Sequence, residues 1–585
     1  MKSAKYILPA LLLMAFLPGG ARADSVLDSP HNLSAGSSAT IKSTQEVRVC
    51  IFCHTPHHAT LLSDPEYPGP LWSRPENTNT YTVYDSSTIQ AKPGQPQGVS
   101  RLCLSCHDGT IALADTGAIS PSDSLKSQTL ADNSPANLGE DLSNDHPISM
   151  EYGKNPAEFN DLSTLLANRV RLVAHGGPLN VECTSCHDPH DNRYGNFLVM
   201  DLSTQKDALC TTCHAKKGWS ASAHQTGGTR YGGATATEVA QNGCVNCHVP
   251  HNAQQGMDLL KLTSTGAGTD TNCTAACHNG TGPYSDIAAE FNPVGRYVHP
   301  LTYDAGADAH TPDETLPLSG AKKHVHCIDC HNPHETSWTN APLDANNAPA
   351  VNGVLAGVRG VDEGGATVDP AVDEYQVCFR CHSGTSAENG DFNDATLKVT
   401  RVYESTDESK RFSSGAFSTH PVTLAGNGSS PNLLSTAQTT SGYIYCASCH
   451  QPHGSTEPHM LLARNQDDFS TGLSTSYPLC YSCHSESYLM NTASSAQLHQ
   501  NHVFGQYPSD PGNTQQVSCS ICHDPHGVPN LGQSSDSSTH LVNFDRRFVP
   551  ADATYSASAR SCSISGQGTA GLTCHPGTMA NPATY

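Results

Sequence analysis

Apolar residues are sparse along this chain and rarely form long runs. The clearest apolar run lies near the start, from Ile7 to Phe16. No later segment approaches the roughly 20 apolar residues that a membrane-spanning helix needs. The pattern therefore predicts short helices, a few short strands and much loop.

The first 23 residues have the pattern of a secretory signal. Lys2 and Lys5 form a short positive end ahead of the apolar run, and Ala21-Arg22-Ala23 is a cleavage site of the A-x-A type. We expect a signal peptide over residues 1–23 and a mature chain that begins at Asp24. No cysteine follows this site directly, so a lipoprotein anchor is not expected. The sequence thus predicts an exported protein, in the periplasm, at the outer-membrane surface or outside the cell.

All 24 cysteines fall into twelve pairs, and each pair is followed at once by a histidine. We number these motifs 1 to 12 in chain order. Ten have the spacing C-x-x-C-H: Cys50/Cys53/His54, Cys103/Cys106/His107, Cys183/Cys186/His187, Cys210/Cys213/His214, Cys244/Cys247/His248, Cys327/Cys330/His331, Cys378/Cys381/His382, Cys446/Cys449/His450, Cys480/Cys483/His484 and Cys519/Cys522/His523. Motif 6, Cys273/Cys277/His278, has three intervening residues, and motif 12, Cys562 with Cys574/His575, has eleven.

In c-type cytochromes two thioethers fix the haem, and the adjacent histidine ligates its iron. The motifs therefore predict twelve covalently attached haems c. Zinc is a poor alternative, because every motif ends in Cys-His and export is indicated. In motif 12 a Cys562–Cys574 disulfide is the alternative to haem attachment, and it would leave no twelfth haem.

Composition argues against an ordinary aliphatic core. Only 36% of the residues are hydrophobic, against the usual ~45–50%. A chain this poor in apolar side chains needs the porphyrins as its core, so we expect a disordered apoprotein. The formal charge of −23 disfavours nucleic acid as a partner and favours basic redox partners or metal cations, although it also serves simple solubility.

Six motifs continue as the tetrad H-x-P-H, and they alternate strictly with six that do not. We call the last residue of each tetrad the tetrad histidine: His57, His190, His251, His334, His453 and His526. The alternation predicts six consecutive two-haem segments. These are segments 1 to 6, with bounds 24–145, 146–223, 224–298, 299–419, 420–501 and 502–585. Their unequal lengths argue against a strict solenoid.

The remaining histidines supply candidates for the second axial ligand of each iron. Each segment has an upstream histidine before its first motif, and we select His31, His146, His224, His299, His420 and His502. Six tetrad and six upstream histidines match twelve haems, so we expect each segment to serve its own two haems. A tetrad histidine lies too close to its own motif and is expected to reach a neighbouring haem. If one of these upstream histidines is not a ligand, the candidates to replace it are His175, His326, His499 and His540. Bis-histidine ligation predicts low reduction potentials.

The motifs resemble those of the multihaem c-type cytochromes of metal-reducing bacteria. The resemblance rests on the repeated C-x-x-C-H-x-P-H, as in Cys183 to His190 and Cys519 to His526, and on the segment Ser29 to Ser34 ahead of motif 1. It covers the chain from His31 to His575. It implies a multihaem cytochrome c fold, with loops and short helices wrapped around a haem chain and little strand.

The leading hypothesis from this resemblance is electron transfer from haem to haem, in extracellular respiration of metal oxides. The expected partners are other cytochromes, a porin conduit, and metal oxides or other extracellular acceptors, and no nucleic acid. No catalytic residue is assigned. Two alternatives remain open: a multihaem oxidoreductase with one open haem site, and a subunit of a homopolymeric cytochrome filament.

Overall fold

The structure is a computed structural model. It describes residues 25–62, 67, 69–86, 88–227, 230–231, 237–254, 257–262, 271–275, 277–280, 286–299, 301, 314–318, 325–339, 343–384, 399–466, 469–470, 477–490, 496–505, 516–550, 552–558 and 561–563. The predicted signal peptide, together with Cys574 and His575 of motif 12, lies outside the described residues.

The described helices are short, and several coincide with cysteine motifs. They are α1 Gly98–His107, α2 Leu162–Ala167, α3 Cys183–Cys186, α4 Ala208–Cys213, α5 Ala223–Thr226, α6 Val239–Asn242, α7 Thr271–Thr274, α8 Ile287–Glu290, α9 Cys327–Cys330, α10 Glu374–His382, α11 Glu408–Phe412, α12 Pro478–Tyr481, α13 Glu486–Leu489, α14 Ala496–Phe504 and α15 Cys519–Cys522. Among the described residues, no helix has the length and apolar character needed to cross a membrane.

The strands are shorter still and pair in small ladders. They are β1 Thr82–Val83, β2 Asp141–Leu142, β3 Met150–Glu151, β4 Val173–Ala174, β5 Leu179–Val181, β6 Arg230–Tyr231, β7 Thr237–Glu238, β8 Gly360–Val361, β9 Thr367–Val368, β10 Ser418–Thr419, β11 Phe469–Ser470, β12 Gln516–Val517, β13 Gly527–Val528, β14 Thr554–Ser556 and β15 Ser561–Ser563. The ladder β3-β5-β4 has three strands. The pairs are β1 with β2, which are parallel, and, all antiparallel, β6 with β7, β8 with β9, β10 with β13, β11 with β12, and β14 with β15. The predicted loop-rich fold with little strand is confirmed.

A single helical turn shapes most of the motifs. In motif 1 the amide of His54 donates to the carbonyl of Cys50 at 2.8 Å, and the same closure recurs in motifs 3, 4, 5, 7, 9, 10 and 11 at 2.8–3.1 Å. Because residues three and four apart share one face of a helix, this turn brings both cysteines and the histidine to one side. In motif 6 the His278 amide donates to the carbonyl of Cys273 at 3.0 Å. The extra residue therefore widens the turn by one position, and the cysteines and the histidine remain on one side.

The chain divides into two compact units. The first comprises residues 1–85, 89–214 and 250–252, and the second comprises residues 86–88, 215–249 and 253–585. In the first unit, a cluster built on Ile51, Phe52 and Leu125 packs against Cys53 and Cys106. In the second unit, comparable clusters pack against other motif cysteines, including Cys446 and Cys522. The aliphatic cores are thus small and lie beside the predicted attachment points.

Candidate haem-ligand sites

The motif histidines are oriented by backbone carbonyls. In seven motifs the ring Nδ1 lies 2.5–2.9 Å from a carbonyl oxygen; the pairs are His54 with Pro70, His107 with Ala136, His187 with Asn196, His248 with Asp258, His331 with Val354, His450 with His459 and His523 with His540. A neutral imidazole that donates from Nδ1 presents the Nε2 lone pair for a metal. The carbonyls therefore fix both the tautomer and the direction of each ligand.

Burial keeps these imidazoles in the neutral form that can bind a metal. It lowers the pKa of His107, His187 and His331, and it lowers the pKa of His450 and His523 to about 4. Burial disfavours the charged form because an apolar surrounding solvates an imidazolium poorly. Near neutral pH these rings are thus free of the proton that would compete with iron.

Each tetrad histidine from the second tetrad onward faces the motif histidine of the preceding segment. Ring centres lie 6.0–6.3 Å apart in His54–His190, His187–His251, His248–His334, His331–His453 and His450–His526. Each motif histidine of these pairs belongs to the first motif of its segment. The expectation that each segment serves its own two haems therefore differs from the geometry, in which the tetrad histidine comes from the next segment.

The upstream histidines face the second motif of their own segment. Ring centres are 6.1–6.3 Å apart in His31–His107, His146–His214, His299–His382 and His420–His484. In segment 3, His224 lies close enough to His278 to contribute to its lowered pKa, after the larger effect of burial. Five of the six selected upstream histidines thus accompany a second-motif histidine.

The separation of the facing rings fits a bis-histidine iron. Two imidazoles that bind one metal ion from opposite sides, at about 2.0 Å from each nitrogen, have ring centres about 6.3 Å apart. The stacked rings of His31 and Phe197, by comparison, have centres 4.1 Å apart. The facing histidines and the nearby cysteine pairs are therefore a donor set suited to covalently attached haem.

Consecutive segments meet at a joint, where the tetrad proline of one segment lies beside the upstream histidine of the segment before it. The proline of the tetrad bonds the upstream histidine of the preceding segment. The proline carbonyl accepts a hydrogen bond from the histidine ring in three pairs: Pro333 with His224, Pro452 with His299, and Pro525 with His420. The backbone of Pro189 also hydrogen-bonds His31. In segment 2, Pro250 instead accepts from the backbone amide of His146 at 2.9 Å.

Short backbone pairings lie beside two of these joints. Strand β10, just before His420, pairs with strand β13, just after His526. Tyr297 and Ser455 form the equivalent bridge beside His299 and His453. One tetrad therefore contacts two candidate ligand positions of the preceding segment: its histidine faces the first-motif histidine, and its proline lies beside the upstream histidine.

The two ends of this series differ from the selection made from sequence. His57 has an exposed side chain and, within the described ranges, faces no motif histidine. His523 of motif 11 faces His499, with ring centres 6.0 Å apart and nearly parallel. His499 and His502 both lie on helix α14, where the sequence reasoning selected His502 and kept His499 as a replacement. The expected partner of His502 is His575, which lies outside the described residues.

The other replacement candidates have structural roles in the described chain. His175 is buried and bonds Glu182 at 2.9 Å. His326 forms the capping box of helix α9 with Asp329, and the carbonyl of His540 orients His523. No motif histidine is paired with His175 or His540 among the described ring contacts.

Attachment cysteines of consecutive motifs also meet. The side chains of Cys103 and Cys183 are hydrogen-bonded, as are those of Cys378 and Cys446 and those of Cys480 and Cys519. Each contact joins the second motif of one segment to the first motif of the next. Glu374 joins Cys378 and Cys446 in a cluster that could hold a metal ion, but both thiols are predicted thioether positions. In motif 12, Cys562 is exposed on strand β15.

Cys483 of motif 10, a predicted attachment position, also has a local hydrogen bond. Its sulfur accepts from the hydroxyl of Ser482 at 3.7 Å. This contact arises because the turn of motif 10 places the exposed hydroxyl of Ser482 beside the sulfur of the next residue. A thioether sulfur is also a weak acceptor, so the contact does not remove Cys483 as an attachment position.

The surroundings of Cys483 tie motif 10 to motif 9. The carbonyl of Cys483 accepts from the amide of Leu434, in the loop before motif 9, at 2.8 Å. Its thiol also contributes, after burial, to raising the pKa of Cys449 to about 11. Among the described residues, Cys483 and the other motif cysteines form no disulfide. The two motifs of segment 5 therefore lie close together, with their thiols available for attachment.

Comparison with known proteins supports this interpretation. A family model described as the doubled CXXCH motif matches residues 175–218 and 438–488, which contain motifs 3 and 4 and motifs 9 and 10. No curated protein matches the chain. The match supports a multihaem c-type cytochrome-like protein, and the doubled motifs point to covalently bound haem c and to electron transport.

Proposed function

We propose that this chain is an exported dodecahaem cytochrome that conducts electrons along its series of haems in extracellular respiration. The observation that carries the proposal is the repeated facing of two histidine rings at 6.0–6.3 Å. When bound, haem c supplies an iron that takes up and releases one electron. Two strong ligands from the chain leave that iron no open position, which suits electron transfer and not the binding of a substrate.

The contacts between cysteines of consecutive motifs support transfer along the chain. Groups attached at Cys103 and Cys183, or at Cys480 and Cys519, would begin from neighbouring cysteine side chains. The clusters around Phe52 and Phe379 exclude water beside other attachment points. The protein thus holds its redox groups close together and in a surrounding of low polarity, and both features favour fast transfer.

The proposed setting is the outside of the cytoplasmic membrane. The signal pattern over residues 1–23 and the acidic charge of −23 support export and partners with basic surfaces or metal cations. The proposed donors are other cytochromes or a porin conduit, and the proposed final acceptors are metal oxides.

Electron paramagnetic resonance of the fully oxidised holoprotein, calibrated against total haem, tests this function. We expect only low-spin ferric signals and twelve haems per chain. A high-spin signal of one haem in twelve would contradict complete bis-histidine ligation and would favour the oxidoreductase alternative. Eleven haems per chain would instead favour the Cys562–Cys574 disulfide.

A second candidate function, a subunit of a cytochrome filament, is favoured by His57. Every other tetrad histidine faces the first motif of a preceding segment, whereas His57 is exposed. His57 would then supply a ligand to a haem of a second copy. Sedimentation of the holoprotein against the His57→Ala variant tests this, with His58→Ala as the neighbouring control. Assembly that only His57→Ala abolishes would support the filament, and a monomeric wild-type protein would contradict it.

A further inference from the structure

The tetrad histidines that face motif histidines differ in the partner of their other ring nitrogen. Nδ1 of His251 lies 3.0 Å from Asp145, Nδ1 of His453 lies 3.1 Å from Glu290, and Nδ1 of His526 lies 3.0 Å from Glu408. In each case the carboxylate lies two segments before the histidine, within 12 residues ahead of the upstream histidine of the segment between them. Asp145 and Glu408 are largely buried, and Glu290 is partly buried.

The two other facing tetrad histidines lack such a partner. His190 lies 3.6 Å from Asp188, which is longer than the three distances above, and the side chain of His190 is 69% exposed. His334 forms no ion pair with a carboxylate in the part of the chain that the structure describes, and the indole ring of Trp219 packs against it edge-on instead. The five equivalent ligands thus divide into three with a close carboxylate and two without.

A carboxylate that accepts the Nδ1 proton of an axial imidazole makes that imidazole a stronger donor. The added negative charge stabilises ferric iron more than ferrous iron, and burial strengthens the effect because water does not screen it. Reduction adds one electron to the iron, and no bond forms or breaks. The carboxylates therefore act on the equilibrium of this electron uptake.

We propose that Asp145, Glu290 and Glu408 are redox-tuning residues that set the third, seventh and ninth haems at lower reduction potentials than the fifth. They act through the ligands His251, His453 and His526, so the inference rests on the proposed function. The fifth haem, with His334 as its ligand, is then easier to reduce than the third and seventh haems, so an electron resides there longer. The series of first-motif haems is accordingly uneven in potential although its ligands are identical.

The test is a potentiometric titration of the complete holoprotein with the substitution Glu290→Gln, using dithionite as reductant and following haem absorbance and low-spin resonance. Gln keeps the size and a hydrogen-bond acceptor but removes the charge. We expect one haem in twelve to become easier to reduce. Its ratio of reduced to oxidised form should rise about tenfold at fixed potential, which corresponds to about 59 mV.

Asp188→Asn is the matched control, because its carboxylate stands at a longer distance from its histidine and that histidine is largely exposed. We expect a much smaller shift for this variant. Glu408→Gln is a second variant, in a buried position, and should shift a different haem in the same direction. Unchanged or lowered potentials in both Glu→Gln variants, with all haems still low-spin, would overturn the tuning proposal alone. High-spin haem in the unsubstituted protein would instead contradict the proposed function.

Discussion

Removal of His499 gives the sharpest test of the ligand arrangement, because sequence and structure assign it differently. The ring of His499 faces His523 with centres 6.0 Å apart, and burial lowers the pKa of both histidines. No other histidine ring faces His523 among the described residues. With the proposed ligation, His499→Ala would remove one of the two strong ligands from one of the twelve proposed haems.

The expected result is a high-spin ferric signal of one haem in twelve, with a matching fall in the low-spin signal. Added imidazole should restore the low-spin form, because the substitution leaves a space of the size of the lost ring. The control is His502→Ala, and the double variant separates the two histidines: two haems in twelve change if they serve different haems. A fully low-spin His499→Ala protein would refute the assignment of His499.

Three further substitutions test the packing around the sites. Arg74 is buried and donates to the carbonyls of Ser105, Ala112 and Leu113. Arg74→Met should therefore lower the free energy of unfolding by about 3 kcal/mol, whereas substitution of the exposed Arg48 by Met should change it little. Thermal unfolding of the two holoproteins measures the difference. Arg411→Met leaves the buried carboxylate of Asp524 without its 2.8 Å partner, so the free energy of unfolding should fall by about 3–5 kcal/mol in a denaturant titration. The double variant with Asp524→Asn should recover stability. An unchanged free energy in the single variant would contradict the role of the ion pair. A Cβ on Gly527, whose φ is +131°, would lie 2.5 and 2.7 Å from the carbonyl oxygens of Arg411 and Ser418. Gly527→Ala should therefore displace the adjacent His526 and alter one low-spin resonance signal. The control Gly415→Ala, which has room for a Cβ, should leave all signals unchanged.

The thiol and imidazole groups of each site could be predicted from the sequence, because they belong to residues that are close together in the chain. The C-x-x-C-H spacing keeps two thiols and an imidazole within about one helical turn, and the tetrads and upstream positions single out histidines, most of which the structure places beside motif histidines. The loop-rich fold followed from the scarcity of apolar residues. These features depend on spacing within about ten residues, and no distant contact alters them.

The choice of partner for each histidine could not be predicted in the same way. His190 and His54 are far apart in sequence, and segments of unequal length hide the common register of the joints. The distinction between His499 and His502 depends on which turn of helix α14 lies opposite His523 of motif 11. Both residues are histidines one turn apart, so only the packing of that helix separates them.

The shared tetrads also bear on how such a chain can change in length. At each joint the same residues pass from one segment to the one before it: a histidine for the first motif, and a proline carbonyl for the ligand of the second. A duplicated segment inserted between two others would meet compatible surfaces on both sides, and every iron along the series would still find its ligands. Gain or loss of a whole segment is therefore an accessible evolutionary step, whereas loss of half a segment strands a ligand.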